Sequence, residues 1–198
     1  YGHNVPEGYE VKVLGWPVLA DQDNNFLFQQ ILPPGEHATD IAGNNGTNDA
    51  PIIDSAAQSG TVTETADLGA VADSNPVSAT GTITFDDVDL SDAPTASHNG
   101  GAVTSATLAN GLTLTTGQQS AILAAFSLDA GGVAFSNTSG VGSQGWTYNV
   151  ANGAIDFLGE NDVLVLTYTV TINDQNGGTA TQNVVITING TNDAPIID

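Results

Sequence analysis

Residues 163–188, VLVLTYTVTINDQNGGTATQNVVITI, carry the strongest structural pattern in the chain. The first ten residues alternate between two faces, and the apolar face would consist of Leu164, Leu166, Tyr168, Val170 and Ile172. Asn, Asp and Gly residues over 173–178 favour a turn, after which Val184, Ile186 and Ile188 alternate again. The stretch therefore predicts a long β-hairpin with one buried face.

Upstream of this hairpin, short β-rich runs are separated by Gly, Asn, Ser and Asp residues. These runs read SATGTITFDD, AVTSATLA, LTLTT, GVAFSN and GWTYNV. Such spacing is typical of an antiparallel sandwich. The Ala-rich stretch GQQSAILAAF at 117–126 is the exception and predicts one short helix. We therefore expect an all-β sandwich with a single helical turn or short helix.

The decapeptide NGTNDAPIID occurs twice without change, at 45–54 and at 189–198. We interpret each copy as a junction between tandem units and expect the chain to be part of a longer array. The expected organisation is a partial β-segment (1–43), a linker and repeat start (44–54), a sandwich (55–189) and the start of the next repeat (190–198).

The charge balance is extreme, because 22 acidic residues face one basic residue, Lys12, for a formal net charge of −21. Nucleic acids and anionic lipid surfaces are excluded as partners, since binding either requires basic side chains. Two explanations stay open: bound divalent cations neutralise the carboxylates, or the surface is simply solvated.

Several features of the sequence limit the cross-links that could stabilise the fold and the cellular locations of the protein. No Cys is present, which excludes disulfides and thiolate metal sites. No apolar run approaches the length of a membrane span, so we expect no membrane insertion. No signal-peptide pattern is visible at Tyr1, and we expect the chain to begin after a processing site or inside a longer protein.

Oxygen-bearing side chains occur in four places: the two linker copies, the VTET run, the FDDVDLSD run and the two flanks of the predicted hairpin strand. The candidate ligands are Asn48, Asp49, Glu64, Asp86, Asp87, Asp89, Glu160, Asp174, Asn192 and Asp193, with Asp92 and Asp162 in the same groups. Carboxylates from separate strand ends suit Ca²⁺, which takes six to eight oxygens in flexible geometry. Zinc or copper would need imidazole, and the three His residues are scattered. An EF-hand loop starting at Asp87 is excluded, because its sixth and twelfth positions are Asp92 and His98.

Two stretches resemble the VCBS repeats of giant bacterial surface proteins, which belong to the cadherin-like sandwiches of RTX adhesins. The first is GTITFDDVDLSDAPTAS, and the second is LGENDVLVLTYTVTINDQNGGTATQNVVITINGTNDAP. The resemblance covers about residues 46–198. It implies a Greek-key, cadherin-like sandwich that is repeated in tandem outside the cell.

The cadherin comparison also implies roles for individual residues. Glu64 matches the glutamate of the first strand, Glu160 the glutamate before the sixth strand, and Asp174 the aspartate after it. Asn48–Asp49 and Asn192–Asp193 match the cadherin linker, with Ala in place of its second Asn. These residues would collect at domain junctions and bind calcium there, while residues 86–92 would lie near the preceding linker or in a loop of their own.

Residues 1–43 have a different sequence pattern from the rest of the chain. They resemble part of the small prealbumin-like sandwiches of surface proteins, of the carboxypeptidase-regulatory or SdrD B-like kind. Strand-like YEVKVLG is followed by an Asp-Asn turn, strand-like FLFQQI and a PPG turn. The matching positions are Asp23, Asn25, Phe26, Phe28, Pro33, Pro34 and Gly35. Half a sandwich exposes sheet edges, so this segment is either truncated or completed from elsewhere.

These observations favour a structural extension repeat of a bacterial cell-surface adhesin or biofilm protein. Calcium at the junctions would stiffen the array, and the partners would be adjacent copies of the repeat, in cis or in trans. A fibre subunit joined by β-strand exchange is a second hypothesis. A carbohydrate- or peptide-binding module is a third, since Trp146 and Tyr148 could stack on a sugar, although their alternation favours the core. No nucleophile motif is present, so we expect no enzyme activity.

Overall fold

The computed structural model describes residues 11–13, 16–18, 47–67 and 75–195. The chain divides into two compact units, Tyr1–Thr47 and Asn48–Asp198. In the first unit, β1 (Val11–Val13) pairs antiparallel with β2 (Trp16–Val18). The strand predicted over 26–31 and the turns predicted around it lie outside the described residues.

The described residues of the second unit form β-strands, one α-helix and two short 3-10 helices, at Ala109–Gly111 and Asn152–Ala154. The strands are β3 (Ile52–Ile53), β4 (Gln58–Thr63), β5 (Pro76–Asp86), β6 (Thr95–His98), β7 (Ala102–Thr107), β8 (Phe126–Leu128), β9 (Ala134–Phe135), β10 (Val141–Ala151), β11 (Val163–Asn173) and β12 (Thr179–Asn189). The helix α1 spans Thr116–Leu123. None of the described helices is long and apolar enough to cross a bilayer.

The strands form two sheets packed face to face. One sheet has the order β3-β5-β10-β8, with β9 also on β10, and the other has the order β4-β12-β11-β6, with β7 also on β11. The first two strands of the sandwich lie in different sheets: β3 pairs antiparallel with β5, and β4 pairs parallel with β12. This arrangement corresponds to the A-B-E-D and C-F-G sheets of immunoglobulin-like Greek-key sandwiches. The predicted fold class is therefore confirmed.

The predicted hairpin forms the centre of one sheet. β11 and β12 pair over eleven residues each, from Val163 opposite Asn189 to Asn173 opposite Thr179. The five residues assigned to the apolar face from the sequence are all fully buried. Four of them, Leu164, Leu166, Tyr168 and Val170, belong to one hydrophobic cluster with Ile83 of β5 and with Trp146, Tyr148 and Val150 of β10, as expected for two inner faces of a sandwich.

Trp146 and Tyr148 lie in this core rather than on the surface. Trp146 Nε1 donates to Gln58 Oε1 at 3.0 Å, and Tyr148 Oη donates to Ile122 O at 3.0 Å. Tyr168 donates to Leu123 O at 3.2 Å, so two buried phenols bind the end of α1. Burial raises the pKa of both tyrosines well above their ordinary value.

The predicted helix begins one residue earlier than the Ala-rich stretch indicated. Thr115 is its N-cap, and it forms a capping box with Gln118: each residue's side chain accepts from the other's backbone N–H. This cap satisfies two donors that would otherwise have no partner at the first turn. The helix packs Ile122 into the core, where its side chain is fully buried.

Candidate metal centre

The sequence-predicted ligands divide between the two ends of the sandwich. The entry end comprises residues 48–50, the loop 86–94 and the turn 174–178. The exit end comprises residues 64–67, 159–162 and 189–194. The two ends are opposite, because β11 runs from Val163 at the exit end to Asn173 at the entry end.

Three carboxylates meet at the entry end: Asp87, Asp92 and Asp174 each place one oxygen within 4.8 Å of the others. Asp174 directly follows β11, whereas Asp87 and Asp92 lie in the loop after β5. Asp87 is only 3% exposed and Asp174 is fully buried. The fold therefore concentrates three negative groups at a site with little water.

Asp174 is held by donors. Both of its oxygens accept from Gly178 N at 2.9 Å, Oδ1 also accepts from Asn176 N at 2.7 Å, and Oδ2 accepts from Asn48 Nδ2 at 2.9 Å. A Cβ on Gly178 would lie 2.2 Å from Oδ2, so the backbone can approach this closely only because residue 178 is glycine. Burial alone would raise the pKa of Asp174, but these hydrogen bonds outweigh it and hold that pKa below its usual range.

Asp87 and Asp92 are less well satisfied. Asp87 Oδ1 accepts from Asp89 N at 3.0 Å, and Asp92 Oδ1 accepts from Asn176 Nδ2 at 2.6 Å. The second oxygen of each is buried and accepts no hydrogen bond from the residues that the structure describes. Buried acceptors without a donor cost free energy, so these two oxygens call for a partner of another kind.

The electrostatics of the pair agree with this geometry. Burial, with added repulsion from Asp92, Asp89 and Asp174, raises the pKa of Asp87. Burial, with added repulsion from Asp89 and Asp174, likewise raises the pKa of Asp92. Residues 48–198 contain no Lys or Arg, so no basic side chain of this unit can offset the charges.

The donor set fits calcium. Oxygens bound to one Ca²⁺ at 2.3–2.6 Å can lie up to about 5 Å apart, which the three carboxylates satisfy. All three donors are hard carboxylate oxygens, the type that Ca²⁺ prefers over the imidazole and thiolate of zinc sites. Asp87 Oδ2 and Asp92 Oδ2 are the two free acceptors such an ion would bind.

The first copy of the decapeptide lies beside this cluster. Besides the bond from Asn48 to Asp174, Asp49 N donates to Asp89 Oδ2 at 2.6 Å. Ile52 then pairs with Asp86 to start β3. The Asp49 side chain is exposed, as is Asp86, and neither belongs to the three-carboxylate cluster.

The second copy of the decapeptide lies at the exit end beside Glu64. Thr191 N donates to Glu64 Oε2 at 2.8 Å, and the Thr191 hydroxyl bonds the same oxygen. Asp193 Oδ1 accepts from Asp67 N at 2.8 Å, and Ala194 N donates to Asp67 O at 3.0 Å. Glu64 is 2% exposed, and its Oε1 accepts no hydrogen bond from the described residues.

Other predicted ligands at the exit end are not brought together. Glu160 and Asn192 are exposed. Asp162 is buried, and its two oxygens bind the backbone of two loops: one accepts from Ala109 N at 2.7 Å and the other from Gly159 N at 3.0 Å. Among the described residues, the group of side chains close enough together to bind one metal ion lies at the entry end.

Two asparagines that bind acidic side chains were not among the residues predicted from the sequence. Asn176, treated only as a turn residue, binds Asp92 and donates its N–H to Asp174. Asn152 is fully buried and connects Thr65 to Asp156, with bonds of 2.8 Å from Thr65 N and 3.1 Å to Asp156 Oδ1. The pattern Asp-x-Asn-Gly-Gly over 174–178 was the available signal for the first; an isolated Asn-Gly offered none for the second.

Comparison with known proteins adds little. No family model matches the chain. No curated protein matches it in sequence. Among solved structures it is similar to the ASH/PapD-like domain 7 of human CEP192, with a TM-score of 0.40, 9% identity, and coverage of 85% of this chain and 98% of that one. It is also similar to the cadherin-like domains 1 to 4 of zebrafish RET, with a TM-score of 0.36, 14% identity, and coverage of 73% of this chain and 27% of that one. A third similar structure is AggA, the major subunit of aggregative adherence fimbriae type I from Escherichia coli. Its TM-score is 0.34 at 13% identity, with coverage of 76% of this chain and 100% of that one. The sandwich is defined by its own strand pairing, and none of these similarities bears on function.

Proposed function

We propose that residues 48–198 form a structural extension repeat of an extracellular protein on a bacterial cell surface, supporting adhesion. One observation carries this proposal: the described residues of two identical decapeptides, 47–54 and 189–195, lie at opposite ends of a single sandwich. A sandwich with the same junction at both ends can be joined head to tail without limit, which gives length along the axis of its strands. The VCBS and cadherin-like resemblance of the sequence supports the same role.

Calcium is the proposed stiffening ligand at the entry end. Asp87, Asp92 and Asp174 would bind the ion, and the linker would be held to it through the bond from Asn48 to Asp174. Binding would remove the repulsion among the three carboxylates and give partners to the two free oxygens. The linker and the sandwich would then move as one body.

Thermal unfolding of the full chain in EGTA, in calcium and in magnesium tests this proposal. Saturation at about a thousand times the dissociation constant stabilises the folded state by roughly 4 kcal/mol. For a domain of this size that corresponds to a rise in Tm on the order of 10 °C. A rise that magnesium does not reproduce is expected; an equal Tm in all three buffers would overturn the calcium role.

A fibre subunit is the second candidate, and β3 favours it. Among the described residues of the first decapeptide, Ile52 and Ile53 pair with β5 at the edge of the sheet, and Asp54 N donates to Thr84 O of the same strand at 3.1 Å. The identical decapeptide of another molecule could replace them by strand exchange. Sedimentation across a hundredfold range of concentration separates the candidates, because filaments grow with concentration and an extension repeat stays monomeric.

A further inference from the structure

The two copies of the decapeptide use different atoms to bind the sandwich. At the entry end, where the decapeptide precedes its sandwich, the contacts made before β3 come from Asn48 Nδ2, which binds Asp174, and Asp49 N, which binds Asp89. At the exit end, where it follows its sandwich, the same positions are Asn192 and Asp193. Among the described residues, Asn192 Nδ2 there donates to the carbonyl of its own neighbour, Asp193, at 3.2 Å and to no sandwich residue, and its side chain is exposed.

The contacts at the exit end come from decapeptide groups other than the Asn amide and the Asp N–H. Thr191 binds Glu64 through its N–H and its hydroxyl, and Asp193 Oδ1 and Ala194 N bind the backbone of Asp67. Among the positions that the structure describes in both copies, no linker donor or acceptor that binds a sandwich at one end binds a sandwich at the other. One decapeptide can therefore satisfy both sets of contacts at the same time.

We propose that a single decapeptide binds the sandwich before it and the sandwich after it simultaneously, so that adjoining repeats are locked end to end by direct hydrogen bonds. This inference rests on the proposed tandem arrangement, and the partner is a second copy of residues 55–198. Thr, the Asp carboxylate and Ala hold the preceding sandwich, while the Asn amide and the Asp N–H hold the following one. Because the two sets interleave along consecutive residues, no residue is left over to act as a flexible hinge.

The distribution of exposed apolar side chains supports contact at the ends. Among the described residues, the exposed large hydrophobic side chains are Ile52, Val88, Leu90 and Val141 at the entry end and Leu112 at the exit end. Leu112 belongs to the exit end because its N–H binds Ala109, whose own N–H binds Asp162. An abutting sandwich would cover the four apolar side chains at the entry end, with Leu112 as the apolar side chain that the exit end contributes.

The test uses the full chain extended by a second copy of residues 55–198, so that residues 189–198 lie between two sandwiches. The sequence contains no Cys, which allows clean spin labelling at Thr181→Cys in both sandwiches, since Thr181 is exposed on β12. Pulsed electron spin resonance in EGTA then measures the distance between the labels. We expect one narrow distance distribution in the parent tandem and a broad one after insertion of Gly-Gly between Thr191 and Asn192.

Asn192→Ala supplies the matched comparison. In the unextended chain it is expected to leave Tm unchanged, because the side chain contacts only its neighbour there, whereas Asn48→Ala lowers Tm by a few degrees. In the tandem, Asn192→Ala should reproduce the loss seen with Asn48→Ala and broaden the distances.

Two results would overturn the inference. A broad distribution in EGTA that narrows only with calcium would show that the ion alone makes the junction, which leaves the extension function standing. A narrow distribution that survives the Gly-Gly insertion would show that the linker contacts are not what holds the sandwiches. A calcium-independent Tm of the unextended chain would instead count against the proposed calcium role and leave this inference untouched.

Discussion

Asp92 and Asp174 are carboxylates of one cluster in opposite situations. Asp174 accepts hydrogen bonds from Asn48, Asn176 and Gly178, and these keep it charged in the folded protein. Asp92 accepts one bond and leaves its second oxygen buried without a donor among the described residues. One group supports the fold by itself, and the other is stabilised only if a cation binds.

Substitution should separate these two roles. Asp92→Asn removes a repelling charge, so Tm in EGTA should stay equal or rise, while the calcium-dependent shift is lost. Asp174→Asn leaves one of the donors around it without an acceptor and should cost about 2–3 kcal/mol even in EGTA. Thermal unfolding followed by circular dichroism, with and without calcium, measures both.

Asp86→Asn is the control for this pair, because Asp86 is exposed on β5 next to the cluster and outside it. Its calcium shift should match that of the parent chain. A full calcium shift in Asp92→Asn would show that the ion binds elsewhere.

At the scale of the strands, the two sheets meet around Trp146. β10 places Trp146 opposite Gly81 of β5, and the indole also lies against Gly60 of β4. A Cβ on Gly81 would lie 2.5 Å from Trp146 Cζ2. The small residue on one strand therefore makes the space that the large residue on its neighbour fills.

Gly81→Ala should consequently destabilise the sandwich by about 1–3 kcal/mol through overpacking. The urea midpoint should fall with an unchanged slope, which would show that only stability has changed. Gly131→Ala is the matched control, since nothing lies within 4 Å of a Cβ at that position. A parental midpoint for Gly81→Ala would mean that the sheets can separate at no cost.

For the whole molecule, the net charge of −21 is the dominant electrostatic feature. Repulsion among so many carboxylates opposes compaction, and monovalent salt screens it. In EGTA, raising NaCl from about 0.05 M to about 0.5 M shortens the Debye length more than twofold and should raise Tm.

Calcium and NaCl compared at equal ionic strength separate the two explanations of the acidity. A specific site predicts a larger rise with calcium and a weaker salt dependence once calcium is bound. Equal rises at equal ionic strength would mean that the carboxylates form only a solvated acidic surface.

Local patterns in the sequence determined the sandwich. The period-two alternation over 163–172 specified which face of β11 is buried, and the Ala-rich stretch over 117–126 indicated the helix, which begins one residue earlier at Thr116. These features depend on residues close in the chain, which is why sequence alone suffices for them. The acidic groups at strand ends were also visible as candidates.

Which carboxylates meet was decided only by the tertiary structure. Asp86 and Asp87 are adjacent, yet one is exposed on the strand and the other is buried against Asp92 and Asp174. Asn48 and Asn192 have the same neighbours in sequence, yet only Asn48 binds a buried carboxylate. Such contacts depend on strand register, on loop paths and on which end of the sandwich a segment reaches, and all of these are set by residues distant in the chain.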